Sequence, residues 1–427
     1  MKYLFIAFLC APFFSFAQSA NTDSVKNENT VAYYTKVIDK TPKDADAYYK
    51  RGVAYRKLNK LKNALQDLDK AITLNSKDDD IWVERGIVKH DQENYDGAIA
   101  DYTKAIAIKP TANAFYERAL SKRWKGDYKS AIADYTQAIA LDPKNDTYYL
   151  GRGIAKKLLE DYKSAIEDFT QTIALNDKSL NAFYHRALSK DGLEDYKGAI
   201  EDLNAALAIN PNDEDCYYEL GNVKKHMKDT DGAVAAYNKA IELYPGYNGA
   251  YNARGIIKFD KDDFTGALAD YNKAIELNPK FASSYYNRGL VYDKLERSND
   301  AIENYSTYIE LEPTDPDGYF KRANAKLELD DDKGGIEDYN TVIKLDPKFR
   351  NAYHNRGVAK RNLDDYKGAL ADYNKAIELY AEDGSTFNNR GYVKHMLKDD
   401  KGACEDFKKG ADLGDKDAAD NLAEFCK

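Results

Sequence analysis

Four cysteines, five histidines, two tryptophans, three methionines and ten prolines in 427 residues leave little material for several common chemistries. So few cysteines exclude a disulfide-knitted scaffold. The histidines (His90, His185, His226, His354 and His395) stand alone, with no HExxH or CxxC spacing, so the pattern offers no metal centre. No glycine-rich phosphate loop is present, no carboxylate pair stands apart from the general pattern, and no nucleophile has a base at a fixed offset. The expectation is a protein that is not an enzyme and carries no cofactor. The formal net charge is -9, with acidic and basic residues interleaved, and nucleic acid as the main partner needs the opposite excess. After residue 17 no stretch is apolar enough to cross a membrane.

What is present is order. Hydrophobic residues make up 43% of the chain, and 35 tyrosines recur at regular spacing, which argues against disorder despite 32% charged residues. The first 17 residues differ in kind. Met1-Lys2 is a short basic start, Tyr3 to Phe16 is almost wholly apolar, and Ser15 and Ala17 place small residues ahead of Gln18. This predicts a signal peptide at 1–17, with a retained anchor as the alternative, and hence export to the periplasm or cell surface of a bacterium.

From residue 45 the chain repeats. A small residue falls at Gly52, Gly86, Ala119, Gly153, Ala187, Gly221, Gly255, Gly289, Ala323, Gly357 and Gly391, at intervals of 34 with a single interval of 33. An aromatic stands four residues before each, as in Tyr48, Trp82 and Tyr251, and a second small residue follows twelve later. Pro110, Pro143, Pro211, Pro245, Pro279, Pro313 and Pro347 close the second helical stretch. Each unit is a helix, a polar turn and a second helix, unable to bury its own apolar faces.

These residues closely resemble the tetratricopeptide repeat family. The resemblance implies an all-α, right-handed superhelical solenoid of about eleven helix–turn–helix units over residues 45–416. An N-terminal segment, 18–44, holds a partial capping repeat, and a capping helix at 417–427 closes the other end. It also implies a groove lined by the first helices, in which an unknown protein or extended peptide would lie.

Two charge ladders run through the repeat. Arg precedes the small residue in ten units, and Asp stands sixteen residues after it in nine. In one unit both are replaced, by Leu220 and Ala236, which predicts contact, as in Arg254 with Asp270. A Lys four residues after the Arg faces an acidic turn residue five further on, read as a second clasp, Lys258 with Asp263, against the alternative of a polyanion-binding stripe. Cys216 takes a position held elsewhere by Ala and reads as a small core residue. Cys404 and Cys426 sit equally far from a turn near Asp415, predicting a disulfide that staples the final helix; the alternative is two unpaired thiols.

Groove candidates are the positions three and six before the small residue: Tyr49, Tyr116, Tyr184, Tyr218, Asn252, Tyr286 and Phe320, with Asn113 and Asn181. Arg123 belongs to a basic first half with Arg56, Lys57, Lys157 and Lys225; Asp260, Asp293 and Glu328 make the middle more acidic. Aromatic rings edged with amides suit an extended peptide. Asn287, Asn355 and Asn389 resemble fragments of the family's asparagine ladder. The predicted function is an exported, non-enzymatic scaffold that binds proteins or peptides in its groove, with a structural spacer or subunit of a cell-envelope complex as the alternative and an enzyme as a remote one.

Overall fold

The structure, a computed structural model, describes residues 16–426, with side chains from Asp23 onward. Residues 1–15 of the expected leader lie outside the described residues. The described residues form 24 helices in two units. The first unit holds α1 (Phe16–Lys40), α2 (Ala45–Lys57), α3 (Leu61–Leu74), α4 (Asp79–Asp91), α5 (Tyr95–Ile108), α6 (Ala112–Trp124), α7 (Tyr128–Leu141), α8 (Asp146–Leu158), α9 (Tyr162–Leu175), α10 (Leu180–Asp191) and α11 (Tyr196–Ile209). The second holds α12 (Glu214–His226), α13 (Thr230–Leu243), α14 (Asn248–Asp260), α15 (Phe264–Leu277), α16 (Ala282–Lys294), α17 (Ser298–Leu311), α18 (Pro316–Leu327), α19 (Asp332–Leu345), α20 (Arg350–Asn362), α21 (Tyr366–Leu379), α22 (Gly384–Met396), α23 (Asp400–Asp412) and α24 (Lys416–Phe425). From α2 to α23 they pair as hairpins, an even-numbered helix followed by an odd one. No described helix is long and apolar enough to cross a membrane.

One residue ends the first helix and starts the second. In the hairpin of α14 and α15, Asp262 adopts a left-handed φ of 58°. The N–H of Asp262 donates to the Phe259 carbonyl and that of Asp263 to the Lys258 carbonyl, which closes α14. The Asp263 carboxylate then accepts the N–H of Gly266 at 2.9 Å and caps α15. Asp127, Asp161, Asp195, Asp229, Asp331, Asp365 and Asp399 do the same.

That geometry corrects the expected clasp between Lys258 and Asp263. Asp263 is taken up by the helix N-terminus, and Lys258 turns to Asp270 instead, with Nζ 2.8 Å from its Oδ2. Asp270 thereby receives two cations, because Arg254 donates from Nε at 2.9 Å and from Nη2 at 2.6 Å in a bidentate fork. The third Arg254 nitrogen reaches back to Asn238 of the preceding hairpin at 2.6 Å, and the guanidinium lies 5.4 Å from the Tyr251 ring. The fork recurs from Arg51–Asp67 to Arg390–Asp406. Where Arg288 meets Asn304 a single bond of 2.7 Å replaces it. Leu220 and Ala236 are both buried, so the hairpin of α12 and α13 closes the same seam with apolar atoms.

The core is a series of small clusters, each built around a second-helix ring or Leu such as Leu68, Tyr102 or Tyr271. Cys216 is buried and unpaired in α12. At the far end α24 packs on α22 and α23. The structure bonds Cys404 of α23 to Cys426 just beyond α24, with Cα atoms 5.7 Å apart.

Candidate functional site

Within each unit the first helices of successive hairpins touch one another, as α4 touches α2 and α6, and α6 touches α8. The first helices therefore line the inner side of the curve. The side chains they present there fall into registers counted from the small residue of each repeat.

The register three residues before it carries the candidate rings, and these are half-buried in packing. Tyr116 leans on Tyr135 of its own hairpin and on Tyr148 of the next, with centroids 6.0 and 5.2 Å apart. In the second unit Tyr218 meets Tyr237 and Tyr247, Tyr286 meets Tyr305 and Tyr308, and Phe320 meets Tyr339 and Phe349. Tyr184 lies edge-on to His185. Burial, with Glu84 and other nearby carboxylates, pushes the Tyr49 hydroxyl up to about 12. These rings join hairpins as much as they face a ligand.

Asn252 is a correction. It is buried, and its Oδ1 accepts from Ser284 Oγ at 3.0 Å and from Asn287 Nδ2 at 3.1 Å, both in α16. It ties α14 to the following hairpin and is not free for a ligand. The resembling asparagines are engaged likewise: Asn355 donates to Asn324 at 2.9 Å, and Asn389 accepts from Arg361 at 2.6 Å. Asn113 and Asn181, in the first turns of α6 and α10, remain exposed.

In two places on this face the residue four after the small position reaches the residue 28 further on, two before the next small position: Arg56 meets Glu84 at 2.5 Å and Arg361 meets Asn389 at 2.6 Å. Arg56 is thus not a free cation. Two charged residues of α6 have no such contact. Glu117, half-buried, makes no hydrogen bond or ion pair among the described residues; burial and the carboxylates of Asp91 and Glu84 outweigh Arg56 and push its carboxyl up to about 7. Its rung partner, His90, is engaged with Ser121 Oγ at 2.7 Å. Arg123, also half-buried, has no hydrogen bond or ion pair among the described residues. Trp124 beside it is 55% exposed, and Leu158 occupies the same register in the next hairpin, 46% exposed.

Sequence reasoning chose Arg123 and passed over Glu117, Trp124 and the second-helix tyrosine hydroxyls. The missing signal was the 28-residue offset, which shows where a charge lacks its counterpart. Among the described residues no three His, Cys, Asp or Glu side chains gather as a metal site. His354 bonds Thr386, and His395 bonds Asp400.

Family models described as "TPR repeat" match residues 121–160, 193–228 and 257–296. Others described as "Tetratricopeptide repeat" match 45–78, 79–111, 214–247, 282–315 and 351–383. Together they cover more than half of the chain. No curated protein matches it. Among solved structures, MamA is 31% identical over 38% of this chain and 96% of its own, with a TM-score of 0.36. YrrB, "a TPR protein with an unusual peptide-binding site", is 24% identical over 43% and 94%, TM-score 0.39. A tetratricopeptide repeat protein from Parabacteroides merdae is 20% identical over 58% and 98%, TM-score 0.42. With TM-scores below 0.5, these likenesses carry no argument about how this chain works.

Proposed function

This chain belongs to the tetratricopeptide repeat family, and from that premise we propose that it is an exported, non-enzymatic scaffold that holds a protein or extended peptide along the inner face of its first helices. One observation carries the reading. On the seam between the two helices of a hairpin, the Arg–Asp forks leave both ions paired, whereas on the inner face of α6 Glu117 and Arg123 make no hydrogen bond or ion pair among the described residues, beside the exposed Trp124. Half-buried charge without a hydrogen-bonded counterpart is costly, and a partner that brings an opposite charge or hydrogen bond there while covering the indole relieves that cost.

The test is site-specific photo-crosslinking in the native envelope. A photoreactive residue at Asn113, on the inner side, is expected to capture a defined partner; one at Gln137, exposed on α7, is not. Capture from Gln137 alone would favour the spacer reading. Alanine at Tyr116 or Tyr218 is a poorer probe, because those rings also hold hairpins together.

Export rests on the leader at 1–17 and agrees with a Cys404–Cys426 bond formed in an oxidising compartment. N-terminal sequencing of the mature protein should begin at Gln18, and alkylation without reductant should leave both thiols unlabelled. A native protein retaining Met1 with both cysteines alkylated would overturn export.

A further inference from the structure

We propose that α24 of one copy and α1 of a second copy are the two halves of one hairpin, so that copies of this chain join end to end. The joint does not depend on a peptide occupying the inner face.

From α2 to α23 every first helix has its second, but α1 and α24 each stand alone. α1 is a second helix. Thr35 accepts from Arg51 Nη1 at 3.1 Å, as Thr170 accepts from Arg186 in the same register, and Ile38 is buried where Ile72 is. It has no first helix of its own. Counted back 34 residues, the left-handed turn residue Asn59 falls on Val25, and α1 runs straight through that point. The face that other second helices press on their first helices is therefore bare. Tyr33 stands at the register of the fork aspartates and is 62% exposed, whereas Asp67 is 6% exposed. Thr30 and Tyr34 are only partly covered, where their counterparts Ala64 and Leu68 are completely buried.

α24 is a first helix. Asn421 donates to Asn388 at 2.8 Å, as Asn287 donates to Asn252 at 3.1 Å. Phe425 stacks on Phe407, as Val393 packs on Tyr373, and Ala418 is buried where Ala250 and Ala352 are. These contacts put Ala423 at the small position. The small residues of all eleven hairpins are buried against a second helix, and Ala423 is exposed. Among the described residues no second helix follows it.

The two halves match in what they lack. Within a hairpin one Asp takes the Arg one before the small position and the Lys three after it, and the Arg lies over the aromatic four before, as Asp270 does with Arg254, Lys258 and Tyr251. In α24 these three positions hold Leu422, Cys426 (bonded to Cys404) and Ala419, and in α1 the Asp is replaced by Tyr33. Brought together they close the seam with no charge, as Leu220 and Ala236 do within the chain. Any ordinary first helix set on α1 would bury an Arg with no carboxylate to meet it.

The neighbouring contact is charged and complementary. Asn252 and Asn388, three before the small position, each reach the residue two before the small position of the following first helix. The same step from α24 to α2 sets Asp420 against Lys50. Lys26, Lys50 and Lys57 edge the cleft between α1 and α2, and Asp420 and Glu424, both exposed, are the acids that α24 brings to it. In the free chain Lys50 holds Asp46 at 2.7 Å in an exposed pair within its own helix, which is readily exchanged. Because the joint uses α1 of one copy and α24 of the other, it is heterologous and leaves a free half at each end for the next copy.

The experiment is sedimentation velocity of the purified protein over a concentration series. Wild type is expected to associate as concentration rises. Tyr33→Glu spoils every α1 face and Ala423→Arg every α24 face; both residues are exposed, and each variant alone should associate at least about tenfold more weakly. An equimolar mixture of the two should recover one joint, between the intact α24 of the first and the intact α1 of the second, and stop at two chains. Lys50→Glu should weaken association, and Asp420→Lys in the same chain should restore it. A wild type that is monomeric at every concentration would overturn the proposal. So would association that survives either Tyr33→Glu or Ala423→Arg, a mixture no larger than its components, or a Lys50→Glu loss that Asp420→Lys leaves unrepaired.

Discussion

In the unit from Asp213 to Lys427, Tyr237, Tyr305 and Tyr339 give their hydroxyl protons to Asn222, Asp293 and Asn324. In the unit ending at Asn212, Tyr102 and Tyr135 keep theirs, buried and unmatched. Ile87 and Leu120 stand where Asn222 and Asn324 stand in the second unit. Tyr373, above Val358, shows that the rule follows the residue and not the half of the chain. The hairpin backbone repeats in both units, and so does the Arg–Asp fork, apart from Leu220 with Ala236 and Arg288 with Asn304 in the second. What the first helix places fifteen residues before the ring (Asn222, Asn324) or twelve before it (Asp293) decides whether a hairpin satisfies its own polar atoms.

If the contrast is confined to that register, the seam must be equally strong in both units. Asp134→Ala and Asp270→Ala should each lower the local opening free energy of their hairpins by about 3–5 kcal/mol, because each strands an Arg and a Lys in a half-buried site. Amide hydrogen exchange on the full chain measures both. Unequal losses would extend the contrast to the seam. The double variant Arg254→Leu/Asp270→Ala, which copies the apolar pair Leu220 and Ala236, should lose less than Asp270→Ala alone.

Exchanging the register itself is the sharper test. Asn324→Leu removes the acceptor for both Tyr339 and Asn355 and is expected to cost about 1–3 kcal/mol. Leu120→Asn, the reverse graft, should stabilise the α6–α7 hairpin by about 1 kcal/mol by accepting the Tyr135 proton. A destabilised Leu120→Asn variant would show that the two hairpins differ in more than this residue.

The smallest effect concerns Glu117. Burial raises its carboxyl in the folded chain to about 7 from an ordinary 4.5, so the folded state holds the proton more tightly than the unfolded one. Its contribution to stability is therefore complete below about 4.5 and is lost as pH rises through about 7. Glu117→Gln should match wild type in thermal melts below about pH 4.5, gain on it between about 4.5 and 7, and keep that margin above. A constant difference at every pH would contradict the raised value.

The helices, their pairing and the Arg–Asp forks were legible because repetition records contacts. When Arg gave way to Leu220 its partner gave way to Ala236, and when Asp gave way to Asn304 the bond to Arg288 persisted. The same logic misassigned the lysines. Lys60 and Arg297 occupy the turn position in the two units that carry Tyr55 and Tyr292 in place of the Lys, a pattern that mimics a charge exchanged with its partner. In the structure, those two residues simply leave their second helices without a side-chain cap. The role of Asn252 was hidden for another reason. Its surroundings depend on Ser284, 32 residues later, and no rule within one repeat says that a hydroxyl there turns inward.

The shared cap in the hairpin turn has a consequence for cleavage. Because Asp263 closes one helix and opens the next, the turn contains no slack chain, and the joint between hairpins at 244–247 is only four residues long. A protease needs an extended stretch to thread through its active site, and neither connection provides one while its neighbours stay folded. A nick therefore requires a hairpin to come away whole, and trimming of the second unit from a free end should proceed in steps of a hairpin, leaving each remaining fragment folded.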